Sequence, residues 1–393
     1  CDPAVAHRAF TDLMCAAVRP SVRSSPRSPA TNGLARRVLI VANDRLPTID
    51  ICFLSPLGGD VASGAMTIDL LTERDMRTMF PDGHDSPETA DWAVGRMAAC
   101  APELVVFCRY SGPHAPALSA WARSQGIPTI FHIDDDLLSV PMELGEGKFR
   151  HHNTPARTEA IRFLVQQADV LYSVNRTLHD RLKPLRGEKA CFVGSIAGPG
   201  TAIRPPPVGP IARIGYMGMS HAHDLEPLVP MMGDLLRTRP DIELHLFGST
   251  PKPKSWESFG SRIVVTPPVT DYADFRRTFA ALDWGIGIAP LLKIPFNLGK
   301  TNLKWVDYTS FGIAVVASRG TLYDECCADG CGLLADSPDE WRAAIERLLD
   351  DPEERVSQVE RAQRRLVDLF SEKALRRQVL DAFALAMGVM RVR

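Results

Sequence analysis

The residues best suited to chemistry lie between Asp283 and Ser318. Gly299, Lys300, Thr301 and Asn302 sit where the apolar run Trp284 to Ala289 gives way to helical spacing at Leu303, Val306 and Phe311. Unpaired N–H groups at a helix start, the helix dipole, an ammonium and a hydroxyl converge there, a set that suits a phosphate. Lys304 follows closely, and Asp307 falls about two turns into a helix starting near Thr301. An ordinary strand–helix–strand unit with a solvated lysine accounts for the same residues, so the pattern alone leaves both readings open. A second turn carries Gly215 and Gly218, followed by Ser220, His221 and His223. Its backbone N–H groups can face a ligand. The two histidines make a poor metal site without a third ligand, and a helix cap with Ser220 is the plainer reading. A third cluster, Asp134-Asp135-Asp136, follows the apolar run Pro128 to Ile133. The carboxyl end of a buried strand is where α/β sheets place ligands. These acids can orient a hydroxyl, hold a divalent cation, or cap a helix through an Asx-turn.

The elements that position these residues alternate. Strands are predicted at Arg37 to Ala42, Asp50 to Leu54, Leu104 to Cys108, Pro128 to Ile133, Val170 to Val174 and Ala190 to Val193, with helices at 66–79, 116–124, 159–167 and 177–182. Gly58-Gly59 reads as a plain turn, although a glycine pair there can also approach a diphosphate. A Gly- and Pro-rich stretch from Gly198 to Pro210 is the strongest linker signal, predicting a hinge with few contacts to either side. Beyond it, strands are predicted at Ala212 to Met217, Ile242 to Phe247, Arg262 to Thr266, Trp284 to Ala289 and Ile313 to Ala317. Helices fall at 225–237, 272–282, 301–311 and, from a capping box at Ser337, through Leu349, with the tail from Pro352 largely helical. Alternation of this kind implies parallel sheets covered on both faces.

The chain has 393 residues, 45% hydrophobic and 23% charged, with a net charge of −2. That allows two or three domains and gives no electrostatic reason to expect nucleic acid as a partner. Nine scattered cysteines read as reduced thiols; Cys326, Cys327 and Cys331 cluster, but without a second ligand pair at zinc-like spacing. No run approaches the roughly 18 apolar residues that span a bilayer, and no secretory leader pattern is seen. The chain begins at Cys1, as a piece of a longer polypeptide would. Residues 1–35, with a possible helix over 4–18 and a Ser-, Arg- and Pro-rich stretch after it, read as a flexible, solvated tail, with anionic lipid as the alternative contact.

The stretch 283–318 resembles retaining glycosyltransferases of the GT-B fold, family four-like. Bacterial members often read D-x-x-I-G-I-A-P-L, then F-N-x-x-K-S-x-L-K-x-x-E-Y-x-x-x-G-I-P-V-V-A-S. The pattern is met by Asp283, Ile286 to Leu291, Phe296, Asn297, Lys300, Leu303, Lys304, Tyr308, Gly312, Ile313 and Val315 to Ser318, with Thr301 for Ser, Ala314 for Pro and Asp307 for Glu. Arg213 to Leu225 is similar to the family's I-G-Y-x-G-x-x-T-H-x-x-D-L through Ile214, Gly215, Tyr216, Gly218, His221, Asp224 and Leu225, the turn being one residue shorter. Ile127 to Asp135 fits V-P-V-V-x-x-V-H-D-L with Asp134 in the histidine position. The resemblance covers most of residues 37–375, specific in the second half and weak in the first.

The resemblance implies an α/β architecture of two Rossmann-like, doubly wound parallel-sheet domains facing a cleft: 1–35 a tail, 36–205 an acceptor domain, 206–375 a nucleotide-sugar-binding domain, and 376–393 a helix that can pack back on the first domain. It implies a metal-independent, retaining transferase that needs no cofactor beyond a nucleotide-diphosphate sugar as co-substrate. The acceptor would be a glycan or lipid-linked molecule in surface polysaccharide or glycoconjugate assembly, with a cytoplasmic location and peripheral membrane contact. Asp307 would take the place of the Glu that binds the ribose. The family's earlier Glu, eight positions before, is Gly299 here, which leaves Asn297 as the nearby polar candidate for the sugar. Lys300 and Lys304 would carry the diphosphate, because the family's partner arginine is not matched. Gly218, His221, Gly299 and Thr301 complete the donor-binding set, and Asp134 with Lys300 would act in catalysis. A sugar-nucleotide epimerase on the same fold and a non-catalytic nucleotide-sugar-binding module are the alternatives.

Overall fold

The computed structural model describes residues 35–195, 203–219, 222–269 and 271–392. Residues 1–34 of the expected tail, with the possible helix over 4–18, lie outside these residues, as do His221, Ser220 and the first part of the Gly/Pro-rich stretch, whereas Ala35 is buried in the first half's core.

Two six-stranded, all-parallel sheets form the frame. The first comprises β1 (Arg37–Ala42), β2 (Thr67–Thr72), β3 (Leu104–Cys108), β4 (Thr129–Ile133), β5 (Val170–Ser173) and β6 (Cys191–Val193), in the order β2-β1-β3-β4-β5-β6. The second comprises β7 (Arg213–Gly218), β8 (Glu243–Gly248), β9 (Ile263–Thr266), β10 (Ile286–Ala289), β11 (Ala314–Ser318) and β12 (Leu333–Ala335), in the order β12-β11-β10-β7-β8-β9. Every residue of β3, β4, β5, β10 and β11 is buried. Covered parallel sheets produce this, and it explains the continuous apolar runs. In each sheet the strand order reverses once, between β1 and β3 and between β7 and β10. A crevice opens at such a reversal, beyond the strands' carboxyl ends.

The register leaves no room for side chains at two glycines of the second sheet. A Cβ on Gly215 would lie 2.0 Å from the Trp284 ring, and one on Gly287 2.5 Å from the Tyr308 ring. Tyr308 bridges the strands at the reversal: its hydroxyl accepts from the Met217 N–H at 3.0 Å and donates to the Ile288 carbonyl at 3.2 Å.

Three expectations are corrected. Asp50 to Leu54 is a helical turn, not a strand. Its apolar run is buried because Phe53 stacks on Phe383 at 6.4 Å and meets the His132 edge at 5.0 Å. The predicted helix 66–79 is an edge strand followed by a helix. β2 pairs with β1 from Arg37↔Thr67 to Ala42↔Thr72, and Thr72 then opens Glu73–Met79 through a reciprocal capping box with Asp75. Residues 203–210 are not a loose hinge. The Arg204 N–H donates to Ser310 O at 2.9 Å, its guanidinium to Ala280 O at 2.8 Å, and its carbonyl accepts from Gln363 at 2.6 Å. Arg355 holds the Gly209 carbonyl. This part of the stretch is stitched to the second half.

The chain closes on itself. The helix Glu372–Val392 buries Val379, Ala382, Phe383 and Ala386 in the first half's core. Gln378 donates to the Tyr172 hydroxyl at 2.5 Å and to Ser195 O at 2.9 Å, and Arg376 pairs with Asp60 through two contacts of 2.7 Å.

Candidate functional site: the crevice between the two sheets

In the second half, the segments leaving β7 and β10 fall together at the reversal. Asp224, only 2% exposed, sits in the helical turn Ala222–Leu225. Its Oδ1 accepts from the Leu292 N–H at 2.9 Å and from Asn297 Nδ2 at 2.8 Å. Asn297 also donates to Leu292 O at 3.1 Å. The loop from Leu291 to the short helix Pro295–Leu298 is thereby folded around one carboxylate. Asn297 is fully buried and its NH2 is spent on this loop, so it supports the lysine-bearing segment from beneath.

Gly299 to Asn302 lead from that loop into the helix Leu303–Ser310. Lys300 Nζ lies 4.9 Å from the Phe296 ring centre and Lys304 Nζ 4.6 Å from that of Tyr216. Burial lowers the Lys300 ammonium below the usual lysine range, with Asp135 and Asp224 pulling the other way and Lys148 and Arg109 adding to the fall. Burial also pushes Lys304 down to about 8, opposed by Asp224 and reinforced by Lys300. Two lysines thus crowd into a half-dry crevice, with the Asp224 carboxylate acting on both. Gly218 closes β7, its carbonyl taken by the Ser249 N–H at 3.0 Å. Thr301 is half-buried at the helix start.

Asp307 is one turn beyond Leu303 and 1% exposed. Its Oδ1 is buried with no hydrogen-bond partner among the described residues. Burial holds its carboxyl up at about 7, although Arg276 and Tyr272 draw it down. Leu303 and Tyr272 both pack against the first half's core, so this carboxylate stands where the two halves meet.

In the first half, β4 delivers three acids to three different fates. Asp134 has a donor on each oxygen: Arg109 Nη1 at 2.5 Å and Thr48 Oγ1 at 2.8 Å. Asp135 accepts from the same arginine at 2.9 Å, and Asp136 from Arg181 Nε at 2.8 Å. Arg109 holds a left-handed backbone, φ 51°, a conformation uncommon for a residue with a side chain and frequent at functional sites. Among the described residues no three His, Cys, Asp or Glu side chains gather as a metal-binding group. Around Asp135 stand Arg109, Lys148 and Lys300, the last from the opposite half. Burial and the neighbouring cations push His152 down to about 4.

The structure therefore brings Gly299, Lys300, Thr301, Lys304 and Asp307 onto one segment, with Asn297 supporting it and Gly218 at the adjacent strand end. Asp134 is across the crevice, tied into an ion pair, and His221 lies outside the described residues. Sequence reasoning missed Arg109, Tyr272 and Arg276. An arginine one residue past a buried strand, or a Tyr and Arg four apart on a helix, carries no local signal of a partner far away in the chain. Asp224 stood in a matched motif, but nothing in its spacing showed which loop it holds.

Residues 230–380 match the family described as glycosyl transferase-like. No curated protein matches the chain. Among solved structures, the HepE protein of Anabaena in complex with UDP and glucose aligns with a TM-score of 0.63 at 12% identity, over 88% of this chain and 98% of that one. Sucrose-phosphate synthase of Thermosynechococcus elongatus aligns with a TM-score of 0.61 at 15% identity, over 88% and 97%. The trehalose-6-phosphate synthase OtsA gives 0.58 at 13%, over 88% and 98%. At such identities the likeness shows the fold. Residues 230–380 are thus similar to the glycosyl transferase-like family, and the chain as a whole has the GT-B fold.

Proposed function

We propose that the protein transfers a sugar from a nucleoside-diphosphate donor, bound by the second half, to an acceptor presented by the first. The observation that carries this reading is the buried Asp307 carboxylate with an unpartnered oxygen at the junction of the halves. A carboxylate kept dry with an oxygen unsatisfied costs stability, and a pair of vicinal hydroxyls is a partner that both its oxygens can accept from. A ribose supplies that pair. The diphosphate then falls toward the start of the helix Leu303–Ser310, beside Lys300, Lys304 and the N-terminal N–H groups.

The difficult step is charge building on the departing diphosphate. Fixed cations and amide dipoles in a water-poor crevice stabilise that charge without reorganising. Burial draws both Lys300 and Lys304 toward the neutral form, and an arriving diphosphate returns them firmly to the charged one. The HepE structures holding UDP and UDP-glucose support a uridine nucleotide as the first donor to try. In this reading the transfer is metal-independent and retains configuration, as the resemblance of 283–318 implies. The acceptor is a glycan or lipid-linked molecule of surface polysaccharide or glycoconjugate assembly. No helix among the described residues is long and apolar enough to cross a membrane, and an acceptor in a lipid surface would be met by peripheral contact.

Isotope-labelled nucleotide sugars offered with and without acceptor pools test the reading. Net transfer of label to an acceptor is the expected result. Epimer exchange without transfer, or binding without turnover, would replace it with another chemistry on the same fold.

A further inference from the structure

Asn175 belongs to the first half, at the end of β5, and is the N-cap of the helix Arg176–Arg186. Its Oδ1 accepts from the Leu178 N–H at 2.7 Å. The other end of the same amide crosses the crevice. Nδ2 donates to two successive carbonyls of the second half, Gly299 O at 2.8 Å and Lys300 O at 2.8 Å. The contact is seated: a Cβ on Gly299 would meet Leu178 at 3.7 Å and Asp136 at 3.8 Å, and Phe296 joins the first half's core.

We propose that Asn175 is a positioning residue that couples the donor segment to the acceptor half, holding the Gly299–Lys300–Thr301 backbone in its working orientation only when the halves are together. The proposal rests on the reading of this segment as the diphosphate site. The reason lies in the peptide geometry. Each peptide group is planar and trans, so its C=O and N–H point in opposite directions. Fixing the Lys300 carbonyl toward Asn175 turns the Thr301 N–H away from the first half. Fixing the Gly299 carbonyl does the same for the Lys300 N–H, which closes on Asn297 O at 3.2 Å. One side chain thus orients two peptide planes beside Lys300 from across the crevice. The segment takes its working orientation when the first half is in place, which ties the transfer step, rather than capture of the nucleotide, to acceptor presentation.

Asn175→Asp and Asn175→Ser separate this role from helix capping. Both retain a side-chain oxygen for the Leu178 N–H, since Asp and Ser cap as well as Asn. Asp sets a carboxylate against two carbonyl oxygens, and Ser is too short to reach them. Two readouts apply: hydrogen exchange of residues 295–303 in the ligand-free full chain, and steady-state transfer with Kd for UDP measured separately. The coupling predicts exchange at least tenfold faster in 295–303 for both variants, unchanged protection of 176–186, and thermal midpoints within a few degrees of wild type. It predicts kcat at least tenfold lower with a UDP Kd within about threefold, because the lysines and Asp307 remain. Wild-type exchange in 295–303 together with wild-type kcat in either variant overturns the proposal. If wild type itself neither binds UDP nor transfers sugar, the functional reading fails. The exchange arm still decides whether Asn175 holds the segment.

Discussion

Among single residues, the telling ones are charges placed where solvent would not leave them. Asp307 is held up at about 7 by burial, far above an unfolded aspartate near 3.8. Between about pH 4 and 7 the unfolded chain gives up a proton that the native state keeps, so this group lowers stability as pH rises through that window. Asp307→Asn should therefore raise stability at pH 7.5, because a neutral amide does not carry the cost of a charge held out of water. Thermal unfolding across pH 4–8 checks this; a destabilised variant would mean the carboxylate has partners that the geometry does not show. Lys300→Ala should weaken nucleoside-diphosphate binding by roughly 1.5–3 kcal/mol, the worth of a charge-assisted contact. Binding should fade as pH rises past about 8, where burial leaves Lys304 neutral. An unchanged Kd in Lys300→Ala would remove that lysine from the site. The residue types that carry chemistry were legible in the sequence because the segment 299–307 is local and has helix-start spacing. Arg109 and Asn175 were not. Their partners are 25 and 124 residues away, and only the closed fold brings them together.

Among the elements, strand–helix alternation and buried runs were the readable signals. β3, β4, β10 and β11 are covered on both faces and stand in the sequence as continuous apolar stretches. The errors came where burial had another cause. Asp50 to Leu54 is apolar because it lies under the C-terminal helix, and β2 looks helical because an edge strand exposes residues on both faces. β12, three residues long, gave no signal. The loop after β10 is anchored from outside itself, by Asp224. Asp224→Ala should cost roughly 2–5 kcal/mol by leaving the Leu292 N–H and the Asn297 amide without their acceptor. It should also weaken donor binding, whereas Asp224→Asn, which keeps an acceptor oxygen, should retain most stability. Denaturant unfolding of the two variants checks the order; equal stabilities would show that the loop stands without this carboxylate.

In the whole molecule, two sheets with one reversal each face a common crevice, and the chain returns from the second to the first at its end. That return is the helix Glu372–Val392, whose Phe383 is fully buried against Phe53. Phe383→Ala should destabilise the protein by roughly 3–5 kcal/mol and loosen the first half before the second, seen as earlier hydrogen exchange in β4 and β5 than in β10 and β11. The α/β architecture was legible because alternation and buried runs recur through both halves; the first half's site was not, since its acids are spent on internal arginines. Function hangs on whether the junction between the halves binds a nucleoside diphosphate through its ribose. Calorimetric titration of wild type and Asp307→Ala with UDP and 2′-deoxy-UDP decides it. Wild type should prefer the ribonucleotide, and Asp307→Ala should bind both more weakly and equally. Equal discrimination by the two proteins would contradict ribose binding at this carboxylate.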